Sequence, residues 1–344
     1  MKRKGDGTMR LILLLSAIAA VFGAIMEHRP AAEVPAGEDL VLVIEESVQV
    51  VEGNDAEEKI WLRLKTGEEI VTMELEEYLD GVVMTEMLPT FHPEALKAQS
   101  VAARTFAARM LENSKHEDCT VCDSAACCQG WRSEAQLRKS MGPQYDDIHS
   151  KISSAVSATN GQVLTYGGGL IEAVYYSCSG GRSEPAKAVW GTDVPYLQSV
   201  DSPGEEQAEK FSTTLRYPFR EFRQRLAAAV PETVFAVIPE DWIGETVCSS
   251  GGGVETMTLC GASLTGPQIR QIFSLPSTLF ELTVGNGEMV FSVRGYGHRV
   301  GMSQYGADAM ARAGSGWHEI LQHYYTGVSI KKLSRAESGQ FELL

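Results

Sequence analysis

The clearest helical pattern in the chain is Tyr78 to Met87, where Leu79, Val82 and Val83 share one apolar face at about 100° per residue and Glu86 projects from its middle. A carboxylate so placed loses water, which favours the neutral acid and moves its pKa toward the range of a proton donor. The same position also suits a glutamate paired with a buried arginine, or one that caps a helix end. Upstream, Ile60 to Leu64 and Glu69 to Leu75 alternate apolar and polar residues around a turn containing Gly67, which predicts a hairpin feeding directly into the helix. Pro89 stops that helix, and Pro93 opens a second, Ala- and Leu-rich one reaching about Leu111.

Further along, Ser133 to Thr159 reads as helical with mixed polarity. Gly161 to Tyr166 and Leu170 to Tyr176 read as a second hairpin, running into the small polar loop Ser177 to Glu184. The texture changes from Asp201 to Val284, with charged helix-like pieces, a Gly-rich turn at Ser249 to Gly253 and a helix-like Gly266 to Phe273, so this stretch reads as an insertion at about 203–285. A strand from Glu288 to Arg294 leads into a glycine-rich loop holding His298, and Ser303 is placed to cap a helix beginning near Gln304. His318, His323, Tyr324 and Tyr325 fall on a last short helix and read as packing residues. The expected class is α+β: a β-rich domain with a helical pair carrying Glu86, plus an inserted smaller subdomain.

The first residues follow another rule. Lys2, Arg3, Lys4 and Arg10 precede an uncharged apolar run from Leu11 to Met26 with no well-defined cleavage site, the layout of a signal-anchor over 1–28 that leaves the rest outside the cytoplasm. A Pro-, Ala- and acid-rich stalk follows over 29–58, before a domain over 59–335. With 344 residues, 44% of them hydrophobic, the chain can bury a sizeable core, and its net charge of -15 argues against nucleic acid while leaving a neutral polymer such as a glycan open.

Four of the seven cysteines fall within ten residues, at Cys119, Cys122, Cys127 and Cys128, just after His116. Disulfides are one reading in an oxidising compartment, although vicinal Cys127 and Cys128 make simple bridges awkward. The other is a structural Zn²⁺ held by His116, Cys122, Cys127 and Cys128, with Cys119 as a competing ligand. Cys248 and Cys260 flank a predicted hairpin and could pair, leaving Cys178 over. Trp190 and Tyr196 beside Gly-rich loops suit stacking on sugar faces, or serve as core corners. For His298 the loop setting raises a ligand or catalytic role beside a structural one.

The blocks Glu77 to Val83 with Glu86-Met87, Glu94 to Thr105, Ser179 to Gly181, Val189 to Leu197 and Gly297 to Ala307 resemble, in order, the SpoIID/LytB domain family. The resemblance covers most of 60–335, and the N-terminal anchor is like that of the sporulation members rather than the secreted amidase-enhancer relatives. It implies a lytic transglycosylase acting on peptidoglycan glycan strands stripped of stem peptides during forespore engulfment, in the space between mother cell and forespore. It further implies Glu86 as the acid and base, a Cys/His zinc site, and partnership in a membrane-bound engulfment complex with a cell-wall amidase or endopeptidase. A non-catalytic glycan-binding activator of an amidase is the alternative. Tyr175, Tyr176, Tyr196, His298, Ser303, Gln304 and Arg104 are the residues expected to meet sugar or stabilise charge. The sequence departs from the family pattern at Cys178 and Arg299, where a small hydroxyl residue and a glycine are expected.

Overall fold

A computed structural model describes residues 59–335 and 341–343. The expected anchor and stalk lie outside the described residues, among which no helix is long and apolar enough to cross a membrane. The architecture is mixed α+β, with several small sheets around packed helices.

The first hairpin forms as its alternation predicts, with β1 (Trp61–Thr66) antiparallel to β2 (Glu69–Glu74) around Gly67 at φ +59°. Leu62 and Leu64 point inward, and β2 runs straight into α1 (Leu75–Glu86). That helix buries Leu75, Leu79, Val82 and Val83, while Glu76 and Glu77 occupy its first turn, where negative charge suits the helix dipole. It packs on α2 (Pro93–Glu112), the central helix of the molecule. His92 caps α2 by accepting the Glu94 N–H at 3.2 Å, and Pro93 sits where its missing N–H does no harm. The buried alanines 95, 98, 102, 103 and 107 let neighbours approach α2 closely.

A short strand, β3 (Val121–Cys122), pairs in parallel with β1. The helical stretch after it is two helices, α3 (Glu134–Met141) and α4 (Tyr145–Ser157), broken where Gly142 takes φ +60° ahead of Pro143. The second predicted hairpin is shorter than its pattern: β4 (Gln162–Tyr166) turns at Gly167-Gly168 into β5 (Gly169–Leu170) and stops. The next strand, β6 (Tyr175–Tyr176), leaves the hairpin because Met302 and Ser303 offer it a parallel partner. Helix α5 (Ala186–Trp190) ends at Gly191 in the left-handed conformation.

A second hydrophobic core draws on residues from Tyr217 to Val293. It is built from β7 (Ser212–Pro218), α6 (Phe219–Ala229), β8 (Ile243–Cys248), β9 (Val254–Leu259), β10 (Ala262–Thr265), α7 (Gly266–Ile272), β11 (Leu279–Val284) and β12 (Glu288–Arg294). Two sheets, ordered β10-β9-β8 and β11-β12-β7, enclose Phe222, Phe273 and Phe291, whose rings meet at 4.7 and 5.0 Å. Cys248 and Cys260 do not pair; both are free thiols. Cys248 lies opposite Val254 at one end of the β8–β9 ladder, and Cys260 follows Leu259 at the other. At about 3.3 Å per residue, that places them well beyond the roughly 7 Å Cα separation a disulfide tolerates.

The chain then returns to the first core through β13 (Met302–Ser303), α8 (Gln304–Arg312) and α9 (Trp317–Tyr324). Strands β14 (Ser329–Arg335) and β15 (Phe341–Leu343) extend β4 into a sheet ordered β15-β14-β4-β5.

Candidate active site

Glu86 is the last residue of α1, and the face it shares with Leu79, Val82 and Val83 is dry. Oε1 accepts the Gly130 N–H at 2.7 Å, and among the described residues it forms no salt bridge to an arginine. Burial pushes its carboxyl above the ordinary glutamate range, while the Gly130 N–H and the Arg132 guanidinium pull back. The buried-arginine alternative falls instead to Glu76, which holds Arg104 through two bonds of 2.7 and 2.6 Å.

The loop that holds Glu86 fits tightly. A Cβ on Gly81 would run into the Trp131 indole, and one on Gly130 would lie 2.6 Å from Glu86 Oε1. Substituting alanine for Gly130 is therefore expected to displace the carboxylate by a few tenths of an ångström or more and lower the melting temperature by a few degrees, with little change in far-UV circular dichroism. A melting temperature equal to wild type would show that this contact does not hold the carboxylate.

Immediately before that loop stand the clustered thiols. Cys122 is pinned by the β1–β3 pairing, and the Cys127 and Cys128 N–H groups both donate to Ser124 O, which folds the loop back. His116 Nε2 lies 3.3 Å from Cys128 Sγ and 3.7 Å from Cys127 Sγ. The ligand atoms of His116, Cys122, Cys127 and Cys128 all fall within 4.8 Å of one another. A tetrahedral zinc site with three thiolates has edges of roughly 3.6–3.8 Å, so the donor set suits that ion in type and number and lies within about 1 Å of its spacing. Cys119 stands outside the cluster; it is buried, and burial with the neighbouring Asp118 pushes its thiol up to about 11.

The other expected residues separate. Tyr175 is half-buried, and burial together with the nearby Glu86 carboxylate pushes the pKa of its phenol up. Tyr176 is buried, and its hydroxyl has no hydrogen-bond partner among the described residues. Gln304 is buried, and its Nε2 has no partner among the described residues. His298 accepts the Val300 N–H at Nδ1 and donates from Nε2 to Tyr175 O at 3.1 Å. Desolvation and the Arg270 charge press its pKa down to about 4, so it stays neutral and acts as a brace for Tyr175. Trp190, 39% exposed, lies 5.4 Å from the His298 ring and leaves a face open for stacking.

Three expected sugar contacts are engaged elsewhere. Arg104 is fully buried and reaches, besides Glu76, Thr159 Oγ1, Gln162 O and Val156 O, which ties α1, α2 and α4 together and leaves its guanidinium away from any ligand. Ser303 is fully buried and caps α8 by accepting the Gly306 N–H at 3.2 Å. Tyr196 packs on Tyr166 with its hydroxyl accepting the Glu172 N–H at 3.0 Å.

Both departures from the family pattern have a structural account. Arg299 does adopt the conformation a glycine would supply, at φ +66°. Its fully buried guanidinium bonds Glu184 at 2.8 Å and the carbonyls of Ser179, Arg182 and Gly251. Glu184 in turn accepts from Gly253 N and Ser249 Oγ, so the Gly-rich turn between β8 and β9 is clamped onto the first core. Cys178, fully buried, donates to Glu205 Oε2 at 3.1 Å as a serine would.

Sequence reasoning overlooked Gln129, Gly130, Glu184 and Glu205. A signal existed only for Gly130, a glycine between a thiol cluster and a tryptophan. The buried carboxylates at 184 and 205 gain their roles from partners distant in sequence.

Taken together, the chain is a mixed α+β protein that sets one desolvated glutamate beside a four-ligand Cys/His cluster. The sequence profile of SpoIID, Stage II sporulation protein, matches residues 64–166, the part that carries both. Stage II sporulation protein D of Bacillus amyloliquefaciens is 38% identical over 262 residues, 75% of this chain and 74% of that protein, and the protein of the same name from Bacillus subtilis (strain 168) matches equally over the same shares. The Amidase enhancer of Bacillus subtilis is 28% identical over 300 residues, 73% of this chain and 40% of that protein. The chain belongs to the stage II sporulation protein D family, a family of sporulation.

Proposed function

We propose that this protein is a lytic transglycosylase of peptidoglycan that cuts peptide-stripped glycan strands during engulfment of the forespore. The observation that carries the reading is Glu86: one carboxylic acid, desolvated and held by a single backbone N–H. Glu86 protonates the glycosidic oxygen between N-acetylmuramic acid and N-acetylglucosamine. As carboxylate it then takes the proton from the muramyl C6 hydroxyl while that oxygen closes onto C1. The product ends in a 1,6-anhydro sugar, and Glu86 regains its proton. Water is not the nucleophile, so the second carboxylate of hydrolytic glycosidases is dispensable.

A single turnover assay decides this. The soluble domain, residues 59–344, incubated with peptide-free glycan strands should release anhydromuramyl ends by mass spectrometry. No such ends from the unmodified chain would sink the enzyme reading. In that case the second reading applies, a glycan-binding activator of a cell-wall amidase, which the name of the Amidase enhancer favours.

In this reading the Cys/His cluster holds a structural Zn²⁺, since four protein ligands leave no open position for chemistry. Metal analysis should return about one zinc per chain, and Cys127→Ser should lose the ion and lower the melting temperature by about 5 °C or more. Full metal content in that variant would remove Cys127 from the ligand set. The N-terminal residues 1–28 anchor the chain, a stalk follows, and the catalytic domain, with the inserted second core that reaches Val293, faces the space between mother cell and forespore. There it meets glycan strands and a membrane-bound complex containing a cell-wall amidase or endopeptidase.

A further inference from the structure

Next to Glu86, three side chains form a hydrogen-bonded row whose direction is fixed. Tyr78 is fully buried, and its hydroxyl donates to Gln129 Oε1 at 3.2 Å. Gln129, itself 2% exposed, donates from Nε2 to the Tyr175 hydroxyl at 3.0 Å. The carboxamide could in principle be turned over, but its neighbours decide. Were nitrogen to face Tyr78, the phenolic proton of that tyrosine would be left unpartnered in a dry interior, a loss of about 1–3 kcal/mol by general experience with buried donors. Gln129 therefore presents oxygen inward and N–H outward.

Tyr175 then receives a hydrogen bond instead of giving one. Its own proton has no acceptor among the described residues: no hydrogen bond joins it to Glu86, and Gln129 already donates to it. Burial and the nearby Glu86 carboxylate also disfavour ionisation of the phenol. The backbone holds the ring still, through the parallel Tyr175–Met302 pairing and the bond from His298 to Tyr175 O.

We propose that Gln129 is a positioning residue that makes Tyr175 an obligate hydrogen-bond donor toward a sugar oxygen of the glycan lying against Glu86. The identity of the ligand rests on the glycan-cleaving reading; the direction of the row rests on the geometry alone. Gln129 and Gly130 are consecutive, so one short loop sets both the acid and the donor beside it.

The test separates the two claims by measuring binding where cutting is blocked. In a Glu86→Gln background, affinity for peptide-free glycan strands should fall about fivefold with Tyr175→Phe, the loss of one neutral hydrogen bond. Gln129→Glu, which offers only acceptors, should draw the Tyr175 proton back and cause a similar fall, and combining it with Tyr175→Phe should add nothing further. Tyr78→Phe, on the far side of Gln129, frees the carboxamide to turn and should weaken binding about threefold without touching ligand; it serves also if the buried charge of Gln129→Glu prevents folding. Unchanged affinity in Tyr175→Phe overturns the proposal. A fall in Tyr175→Phe with wild-type affinity in Tyr78→Phe and in folded Gln129→Glu overturns the role of Gln129. Absence of anhydro ends from the unmodified chain, by contrast, removes only the lyase reading and leaves this series to be judged on binding.

Discussion

Replacing Glu86 with glutamine is expected to reduce release of anhydromuramyl ends by at least about 10³-fold, because the one group that can give and retrieve a proton is lost. The amide oxygen can still accept the Gly130 N–H, so the loop should stay in place and the loss should fall on turnover rather than on glycan affinity. Two pH effects accompany it. In the unmodified chain the acid must start protonated, so the rate should fall as pH rises through the elevated Glu86 pKa, and an assay across pH 4 to 8 would show that descending limb. Stability changes with the same sign. The folded carboxyl binds its proton more tightly than the unfolded one, so the fold is penalised increasingly as pH rises from the unfolded value, about 4.3, through the folded one. Glu86→Gln removes that penalty and should raise the melting temperature at pH 7 more than at pH 4. A rate that stays flat across this range, or a variant with equal yield, would deny Glu86 the role of acid.

The largest effect on stability is expected at Arg299. Arg299→Gly keeps the left-handed backbone without strain but leaves Glu184 buried without its cation and the carbonyls of Ser179, Arg182 and Gly251 without donors. Breaking a buried pair on one side costs about 3–5 kcal/mol. Urea denaturation followed by tryptophan fluorescence should show that loss, together with a separate early transition as the second core loses its hold on the first. A change below about 1 kcal/mol would mean that the clamp contributes little.

Local pattern foretold local structure. The hairpin, α1 and the Pro93 start of α2 follow from alternation, 3.6-residue periodicity and proline chemistry acting over a few residues. The apolar face around Glu86 was legible for the same reason, as was the set His116, Cys122, Cys127 and Cys128. Positions whose meaning depends on distant partners were not. Arg104 lay in a recognisable block, yet whether it faces ligand or core depends on Glu76 and on carbonyls some fifty residues later. Tyr175 and Tyr176 looked like the end of a hairpin until a segment far along the chain took them as partners. Cys248 and Cys260 are near in sequence but separated by the full length of a ladder, a distance that spacing in a loop does not disclose.

The β6–β13 pairing also bears on the order in which the molecule assembles. Glu86 sits on a helix stabilised by short-range contacts, whereas the strand carrying Tyr175 is fixed only when Met302 arrives, and Ser303 reaches Ser177 across 126 positions. Contacts that close so long a loop form slowly. During synthesis the acid therefore emerges and folds well before the surface it faces, and a chain interrupted after residue 166, where the family profile ends, carries the acid without the tyrosine opposite it. In a nascent or truncated molecule of this kind Glu86 stands without that surface, which is completed only once β13 has left the ribosome.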